Sequence, residues 1–177
     1  QFVKQIIEAY DKTQNLTGRG NNLFILASNQ KQLLWAESMN KGYDHFQNQK
    51  YPEAVKSFDI AKIVQPEDTT ALLYAGVSAQ QAGLYQVALD NYTAMKKLTS
   101  LSKNVYWSMI ICHQAKRSSL DTRLDVVEDA IFNYPDHVPY IIEETLILVS
   151  QARFEEAESR LRTVVKRNPK AHDLRLL

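Results

Sequence analysis

Residues 51–66 read YPEAVKSFDIAKIVQP, and residues 154–169 read FEEAESRLRTVVKRNP. Between these two segments, residues 85–100 read YQVALDNYTAMKKLTS and residues 124–135 read LDVVEDAIFNYP. The segments share apolar residues at helical spacing, and all except residues 85–100 end at a proline. A helix of the same kind therefore recurs along the chain, which predicts an internal repeat.

The prolines Pro66, Pro135 and Pro169 give the period of this repeat. The last two are separated by about 34 residues, which is within the range of periods found in repeat proteins. The interval from Pro66 to Pro135 is twice as long, so the segment without a proline falls between them at the same period. Proline cannot donate the amide hydrogen bond that continues a helix, so each helix is expected to end before it. The predicted repeats are residues 35–68, 69–103, 104–137 and 138–171.

Each repeat is expected to contain two helices. In the second repeat, residues 69–83 read TTALLYAGVSAQQAG, with small and apolar residues at helical spacing, and end at Gly83. Residues 85–98 carry broad apolar faces, as a second helix would. Loops this short make neighbouring helices antiparallel. The sequence therefore predicts an all-α fold.

This pattern resembles the tetratricopeptide repeat. That family has small residues at repeat positions 8, 20 and 27 and proline at 32. Larger residues at positions 4, 7, 11 and 24, aromatic at 4 and apolar or aromatic at 24, fill the space between successive helix pairs. The first repeat carries the small residues, the residue at 24 and the proline as Gly42, Ala54, Ala61, Phe58 and Pro66. Small residues let the two helices approach closely, and stacking of successive repeats supplies the core.

The other repeats match this pattern in part. The matching residues are Gly76, Ala88 and Tyr92 in the second repeat, Trp107, Ala130 and Pro135 in the third, and Ala157, Leu161 and Pro169 in the fourth. Six residues depart from it: Met95 and Ser100 in the second repeat, Ile111, Arg123 and Val127 in the third, and Thr145 in the fourth. The resemblance implies an α–α superhelix, or solenoid, of about four helix-turn-helix repeats.

The two ends of the chain fall outside the repeat pattern. Residues 1–34 are expected to form a non-repeat arm, with a helix over residues 1–13 and a loop over residues 14–22. This arm would either cap the repeat domain, residues 35–177, or represent a degenerate upstream repeat. Residues 171–177, AHDLRLL, resemble the first turns of a further helix.

Composition excludes several classes of protein. The chain has 177 residues, 45% of them apolar and 23% charged, with a net charge of +1, as in a soluble globular protein. Its single cysteine, Cys112, excludes an internal disulfide framework and a cysteine-rich zinc site. Residues 69–89 lack charge but contain glutamines and glycines, so we expect no membrane span. Cytoplasm and periplasm are not distinguished by these features.

Histidine and cysteine are not spaced for catalysis or metal binding. The histidines are His45, His113, His137 and His172. No two of them have the i, i+4 spacing of a helical metal pair. Cys112 precedes His113 directly, so their side chains would diverge by about 100° on a helix.

The carboxylates and glycines give no catalytic motif either. Glu143 and Glu144 are adjacent, as are Glu155 and Glu156, and we expect all of them to be solvated on helix surfaces. The segment GRGNN, residues 18–22, follows no predicted strand and lacks the lysine of a phosphate-binding loop. We therefore expect no enzyme activity, no cofactor, no bound metal and no small-molecule substrate.

The resemblance places a partner-binding groove on the first helices of the repeats. The candidate groove residues are Met39, Tyr43, Phe46, Leu73, Val77, Gln80, Gln81 and Lys116. Most of them are apolar, which suits an amphipathic helix or an extended apolar segment of another protein. The resemblance thus implies a protein-interaction scaffold or adaptor, with Gln81 and Lys116 as polar specificity contacts.

One subgroup of this family binds the carboxyl termini of chaperones through a clamp of Lys, Asn and Arg. The corresponding residues here are Met39, Tyr43, Tyr74, Val105 and Met109. None of them is basic, so none can pair with a terminal carboxylate. The sequence therefore does not fit that subgroup.

Three alternatives to an open peptide groove stay open. The arm, residues 1–13, or further repeats could fill the groove, or apolar ends could associate into a homodimer. RNA could bind the basic residues Arg160, Arg162, Lys166, Arg167, Lys170 and Arg175. No aromatic residue interleaves these basic side chains, which argues against nucleic-acid stacking.

Overall fold

The structure, a computed structural model, describes residues 2–17, 19 and 21–167, apart from the side chains of residues 163, 164, 166 and 167. These residues contain nine α-helices and no strand. The helices are α1 (Phe2–Thr17), α2 (Asn22–Gln47), α3 (Tyr51–Val64), α4 (Thr69–Gln81), α5 (Tyr85–Leu98), α6 (Lys103–Ala115), α7 (Leu120–Asn133), α8 (Val138–Ser150) and α9 (Phe154–Arg167).

The chain divides into two compact units, Gln1–Ser100 and Leu101–Leu177. In the first unit, each of the helices α1 to α4 packs against the next along the chain, as far as α5, and α1 also contacts α3. In the second unit, α6 to α9 pack in the same sequential way. The predicted all-α helical-repeat fold is confirmed.

The turn between the two helices of a repeat recurs with the same geometry. One residue in each such turn has a positive φ: Gln49 at 58°, Gly83 at 73°, Arg117 at 54° and Ala152 at 59°. The next residue donates its amide to a carbonyl five residues back, as in Lys50 to His45 and Leu84 to Ala79. This is the hydrogen bond of a left-handed helix end, and its recurrence confirms the period of the repeat.

The predicted small–large contact occurs in the first two repeats. A Cβ atom added to Gly42 would lie 2.5 Å from Cε1 of Phe58, and one added to Gly76 would lie 2.5 Å from Cε1 of Tyr92. Both rings are fully buried. Each glycine therefore provides the space that the aromatic ring of the following helix fills.

The prolines mark helix ends, as the sequence predicts. α3 ends at Val64, before Pro66, and α7 ends at Asn133, before Pro135. The third proline of the pattern, Pro169, lies outside the described residues, as does the predicted further helix at residues 171–177. α5 ends at Leu98 without a proline, where an extended Thr99 terminates it.

The amino-terminal segment is more helical than its glycine and asparagine content indicates. α1 reaches Thr17 and α2 begins at Asn22, so helix occupies part of the predicted loop over residues 14–22. The Asn21 side chain caps α2 by accepting a hydrogen bond from the amide of Leu23 at 2.8 Å. α2 then continues to Gln47. The predicted boundary at residue 34 therefore falls inside a helix, and the arm's separate role stays a prediction.

The uncharged residues 69–89 form α4 and the first turn of α5, separated by the turn that contains Gly83. Each of these helices is short and buries one side in the first compact unit. Throughout the described part of the chain, every helix is too short or too polar to cross a bilayer.

Candidate protein-binding surface

Aromatic rings of three helices meet in the first compact unit. The Tyr43 ring lies edge-on to Tyr74, with centroids 4.7 Å apart, and edge-on to Phe58 at 5.5 Å. The Phe46 ring lies 6.0 Å from Tyr74 and 5.6 Å from Tyr51, also edge-on. Such edge-to-face pairs add attraction to their burial and fix ring orientation.

The rings of Tyr43, Phe46 and Tyr74 pack against a buried core in which alanine is the commonest residue. Its buried members are Met39, Ala54, Phe58, Ala61, Ala71 and Ala75. The alanines bring α3 and α4 close together, and Met39 fills the space beside them. Since only 4% of Met39 is exposed, its side chain lies in the core although the repeat pattern assigns it to the groove.

The remaining groove candidates of the first compact unit lie on α4. Leu73 and Val77 are half-buried and one helical turn apart. Gln80 is half-buried and its Oε1 accepts a hydrogen bond from the Tyr92 hydroxyl at 3.0 Å, whereas Gln81 is exposed. The five half-buried side chains of this region define the first-unit apolar surface: Tyr43, Phe46, Leu73, Tyr74 and Val77.

Asp68 fixes the start of α4 next to these rings. Its Oδ1 accepts a hydrogen bond from the amide of Thr70, and its Oδ2 accepts one from Nε1 of Trp35, each at 2.8 Å. Burial raises the pKa of Tyr43, and the nearby Tyr74 and Asp68 raise it further. The Tyr43 ring therefore stays neutral over the physiological range.

Sequence reasoning did not select Tyr74 as a binding residue, yet Tyr74 joins α4 to α2 through the rings of Tyr43 and Phe46. Its repeat position could have indicated this role, because Tyr74 is an aromatic residue at one of the family's clamp positions.

In the second compact unit, the groove candidate Lys116 is exposed where α6 ends. Two clamp positions of that unit, Val105 and Met109, are buried and cannot contact a ligand. On α8, Leu146 and Val149 are exposed apolar residues.

The expectation that Glu143 and Glu144 are solvated is wrong. Only 6% of Glu143 and 1% of Glu144 is exposed. Glu143 Oε1 accepts hydrogen bonds from Arg123 at 2.6 Å and from Gln114 at 2.8 Å. Glu144 Oε1 accepts one from Arg160 at 2.8 Å. Each carboxylate is buried because an arginine of a neighbouring helix pairs with it, which also explains Arg123 at a small-residue position.

The cysteine and histidine side chains considered for catalysis are buried or hydrogen-bonded within the fold. Cys112 is fully buried, and burial raises the pKa of its thiol to about 11, so it is not a thiolate at neutral pH. His113 hydrogen-bonds Ser118 at 3.0 Å, and burial lowers its pKa. Among the described residues, no cluster of His, Cys, Asp and Glu could hold a metal ion.

The structure also bears on two of the alternatives. α1 packs against α2 and α3, so the arm contacts the first repeat. Of the six basic residues proposed for RNA, Arg160 pairs with Glu144, and Arg162 pairs with Glu158 at 2.7 Å. The other four side chains, those of Lys166, Arg167, Lys170 and Arg175, lie outside the described residues.

Comparison with known proteins identifies the repeat. Residues 39–100 match the family model described as tetratricopeptide repeat. Among curated proteins, no match to this sequence is found. The family model covers the ring cluster and both glycine–aromatic pairs, so the predicted resemblance is confirmed.

Three solved structures have a similar fold. The MamA protein is 14% identical, with a TM-score of 0.65 over 80% of this chain and 76% of MamA. A tetratricopeptide repeat protein from Parabacteroides merdae ATCC 43184 is 18% identical, with a TM-score of 0.67 over 81% of this chain and 57% of that one. YrrB, described as a TPR protein with an unusual peptide-binding site, is 15% identical, with a TM-score of 0.59 over 77% and 70%. The repeat that residues 39–100 match is typical of protein–protein interaction scaffolds.

Proposed function

Because residues 39–100 match the tetratricopeptide repeat family, we propose that the chain is a non-enzymatic scaffold or adaptor that binds a segment of another protein. The binding surface in this proposal is the first-unit apolar surface. Its occupant is an amphipathic helix or an extended apolar segment.

The half-buried ring cluster is the observation that supports this proposal. Tyr43 and Phe46 keep part of each ring exposed, although both pack edge-on against Tyr74. Rings that are already fixed lose little side-chain freedom when a partner covers them, so more of the contact energy contributes to affinity. Aromatic side chains placed in this way are frequent among the residues that dominate interfaces.

The chemistry around the rings suits an apolar occupant. Leu73 and Val77 continue the apolar surface along α4, and none of the five side chains that define it is charged. At the edge, the exposed Gln81 offers an amide for a polar contact. In the second compact unit, the exposed Lys116 is proposed separately as a polar specificity contact.

The proposal is tested with peptides selected from a random library of amphipathic helices against the full chain. Leu73→Ala combined with Val77→Ala is expected to weaken binding of a selected peptide about tenfold or more, since it removes two central contacts. Fluorescence anisotropy of the labelled peptide measures the affinity. Both positions are half-buried, so the fold is expected to tolerate the change.

Leu84→Ala is the matched control, because Leu84 is an apolar residue 44% exposed before α5 and outside the proposed surface. Its affinity should stay within about twofold of the wild type. Tyr43→Ala is a further probe, measured together with stability because its ring also packs against Phe58. If the Leu73/Val77 double variant bound within about threefold of the wild type, the groove assignment would be wrong.

A second candidate function is self-association through the amino-terminal helices. More than half of each of five apolar side chains of α1 and α2 is exposed: Phe2, Leu16, Leu23, Leu26 and Leu33. Clustered exposed apolar side chains mark interaction sites. In this candidate function, a second copy of the chain covers them and forms a homodimer.

Light scattering across a dilution series separates the two candidates. A homodimer through this region should dissociate when Leu26→Lys places a charge in its interface, whereas Leu73→Ala should leave it intact. A chain that stays monomeric at every concentration would exclude the second candidate.

A further inference from the structure

A surface pocket of about 370 Å³ lies in the second compact unit, where side chains of α7, α8 and α9 converge. Its walls include Glu128 from α7, Glu144 and Leu148 from α8, and Glu155 and Arg160 from α9. The residues that line this pocket are not those of the first-unit apolar surface. Nothing in the proposed scaffold function uses it.

One carboxylate oxygen in this pocket has no partner. Glu144 is 1% exposed, and its Oε1 accepts a hydrogen bond from Arg160, but its buried Oε2 accepts none. A buried carboxylate oxygen left unsatisfied costs stability, and such groups are rare in folded proteins. Because Glu144 also lines the pocket, a ligand bound there is the candidate donor for this oxygen.

Arg153 also lines the pocket, but it already donates hydrogen bonds to residues other than Glu144. Arg153 donates from Nε and from one terminal nitrogen to the two carboxylate oxygens of Glu156, each at 2.7 Å. Its other terminal nitrogen donates to Gln151 at 3.0 Å. Each guanidinium nitrogen of Arg153 therefore already donates to a partner, and its charge, paired with Glu156, also acts electrostatically on Glu144 and Glu128.

The remaining charges of the pocket are predominantly negative. Glu128 and Glu155 are exposed carboxylates that make no hydrogen bond or ion pair with the described residues, whereas Arg160 is already bound to Glu144. Glu128 is close enough to Glu144 to act on it electrostatically. The pocket thus has an unmet acceptor, two further carboxylates, and, among the side chains that the structure describes there, no unpaired cation.

We propose that this pocket binds a basic side chain, that of an arginine or lysine in a protein partner. The cationic head reaches the Oε2 of Glu144 and lies between it and the carboxylate of Glu128. The buried side of Leu148 lines the same pocket and offers an apolar wall for the methylene stem. A bound cation supplies the hydrogen bond that Oε2 lacks and offsets the negative charge.

The test uses the full chain labelled with ¹⁵N and a short peptide, acetyl-Gly-Ser-Arg-Ser-Gly-amide. We expect saturable backbone amide shifts in α7, α8 and α9 in the low millimolar range. A peptide with citrulline in place of arginine has the same shape without the charge. It should bind about tenfold more weakly or not at all, and a lysine peptide should bind at the same place.

Three variants separate the pocket from the rest of α9. Glu144→Gln is expected to weaken the arginine peptide about tenfold, and Glu128→Gln about threefold. Glu158→Gln is the matched control, because Glu158 pairs with Arg162 on the exposed side of α9 and does not line the pocket. Its affinity should stay within about twofold of the wild type. Glu128 is exposed and makes no structural hydrogen bond, so its variant remains informative even if Glu144→Gln fails to fold.

Several outcomes would overturn the proposal. Equal binding of the arginine and citrulline peptides would show that the pocket does not recognise positive charge. Saturable shifts confined to helices other than α7, α8 and α9 would show that the peptide binds elsewhere. The absence of saturable shifts up to about 20 mM peptide would mean that solvent alone satisfies the Glu144 oxygen. Leu73→Ala combined with Val77→Ala should leave this binding unchanged, so failure here is distinguishable from failure of the scaffold proposal.

Discussion

The ring of Phe58 occupies the space that a side chain at Gly42 would need, because a Cβ atom there would lie 2.5 Å from Cε1 of the ring. Phe58 has no room to withdraw, since it is fully buried and in ring contact with Tyr43 and Tyr74. This contact fixes how closely α2 and α3 approach one another.

Gly42→Ala is therefore expected to destabilise the protein by about 1–2 kcal/mol. Overpacking costs about 1–3 kcal/mol, and the higher helix propensity of alanine offsets up to about 1 kcal/mol. Urea unfolding measures the change. Phe58→Leu should restore part of the loss when it is combined with Gly42→Ala. A Gly42→Ala variant as stable as the wild type would contradict the contact.

The repeated left-handed turn predicts stability changes of opposite sign. Arg117→Gly and Ala152→Gly should each stabilise the protein by about 0.5–1 kcal/mol, because glycine adopts a positive φ without strain. Gly83→Ala should destabilise it by about 1 kcal/mol for the same reason, although nothing lies near its Cβ position. Thermal unfolding of the three variants tests this, and a common sign for all three would refute it.

The buried pair of Arg123 and Glu143 predicts strong coupling between the two residues. Glu143→Leu alone should cost about 3 kcal/mol, because it leaves Arg123 partly buried and unpaired. Arg123→Leu combined with Glu143→Leu should cost much less, because two apolar side chains then replace the charges. A double-mutant cycle in urea measures the coupling. Additive losses would show that the ion pair is not the source of the effect.

Glu144 predicts a dependence of stability on pH. Burial raises its pKa above the ordinary 4.5, Glu128 raises it further, and Arg160 and Arg153 lower it in part. The folded protein therefore holds a proton that the unfolded chain releases, so this group's contribution to stability falls as pH rises from 4.5 through the folded pKa. The wild type should lose stability relative to Glu144→Gln across that window. A stability difference that does not change with pH would contradict it.

Asp68 combines two roles at one position. Asp68→Ala should cost about 2 kcal/mol, because it removes both the cap of α4 and the hydrogen bond from Trp35. Asn21→Ala is the comparison, since it removes only an exposed helix cap and should cost about 1 kcal/mol. Chemical denaturation followed by circular dichroism measures both. Equal losses would mean that the Trp35 hydrogen bond contributes nothing.

The fold could be predicted because its deciding contacts repeat in sequence. Phe58 follows Gly42 at the same spacing as Tyr92 follows Gly76, and the two pairs recur at one period, so a single pattern specified both contacts. The ends of the helices were harder to predict than the repeat contacts. The asparagines and glycines around residue 20 suggested a long loop, but a single cap at Asn21 is sufficient to start α2.

The candidate site was less predictable, because its contacts join residues without a fixed spacing. Tyr43 meets Tyr74 across a whole repeat, and Glu144 meets Arg160 on the next helix. Burial of Glu144 could have been inferred from its place at repeat position 7, where larger residues fill the space between successive pairs. Its partner could not, since an exposed and a pairing arginine look the same in sequence. Met39 is the opposite case, because the repeat pattern assigns it to the groove but its side chain is buried in the core.

α2 begins outside the repeat pattern and ends within it, with Asn21 capping one end and the rings of Tyr43 and Phe46 in the last turns of the other. Its 26 residues make a rod about 39 Å long without a break in its hydrogen bonds. A fragment that started at Trp35 would lose the cap and leave up to four amides unsatisfied in mid-helix. The first repeat is therefore expected to gain and lose its structure together with the segment before it, and the shortest fragment able to refold begins no later than Asn21.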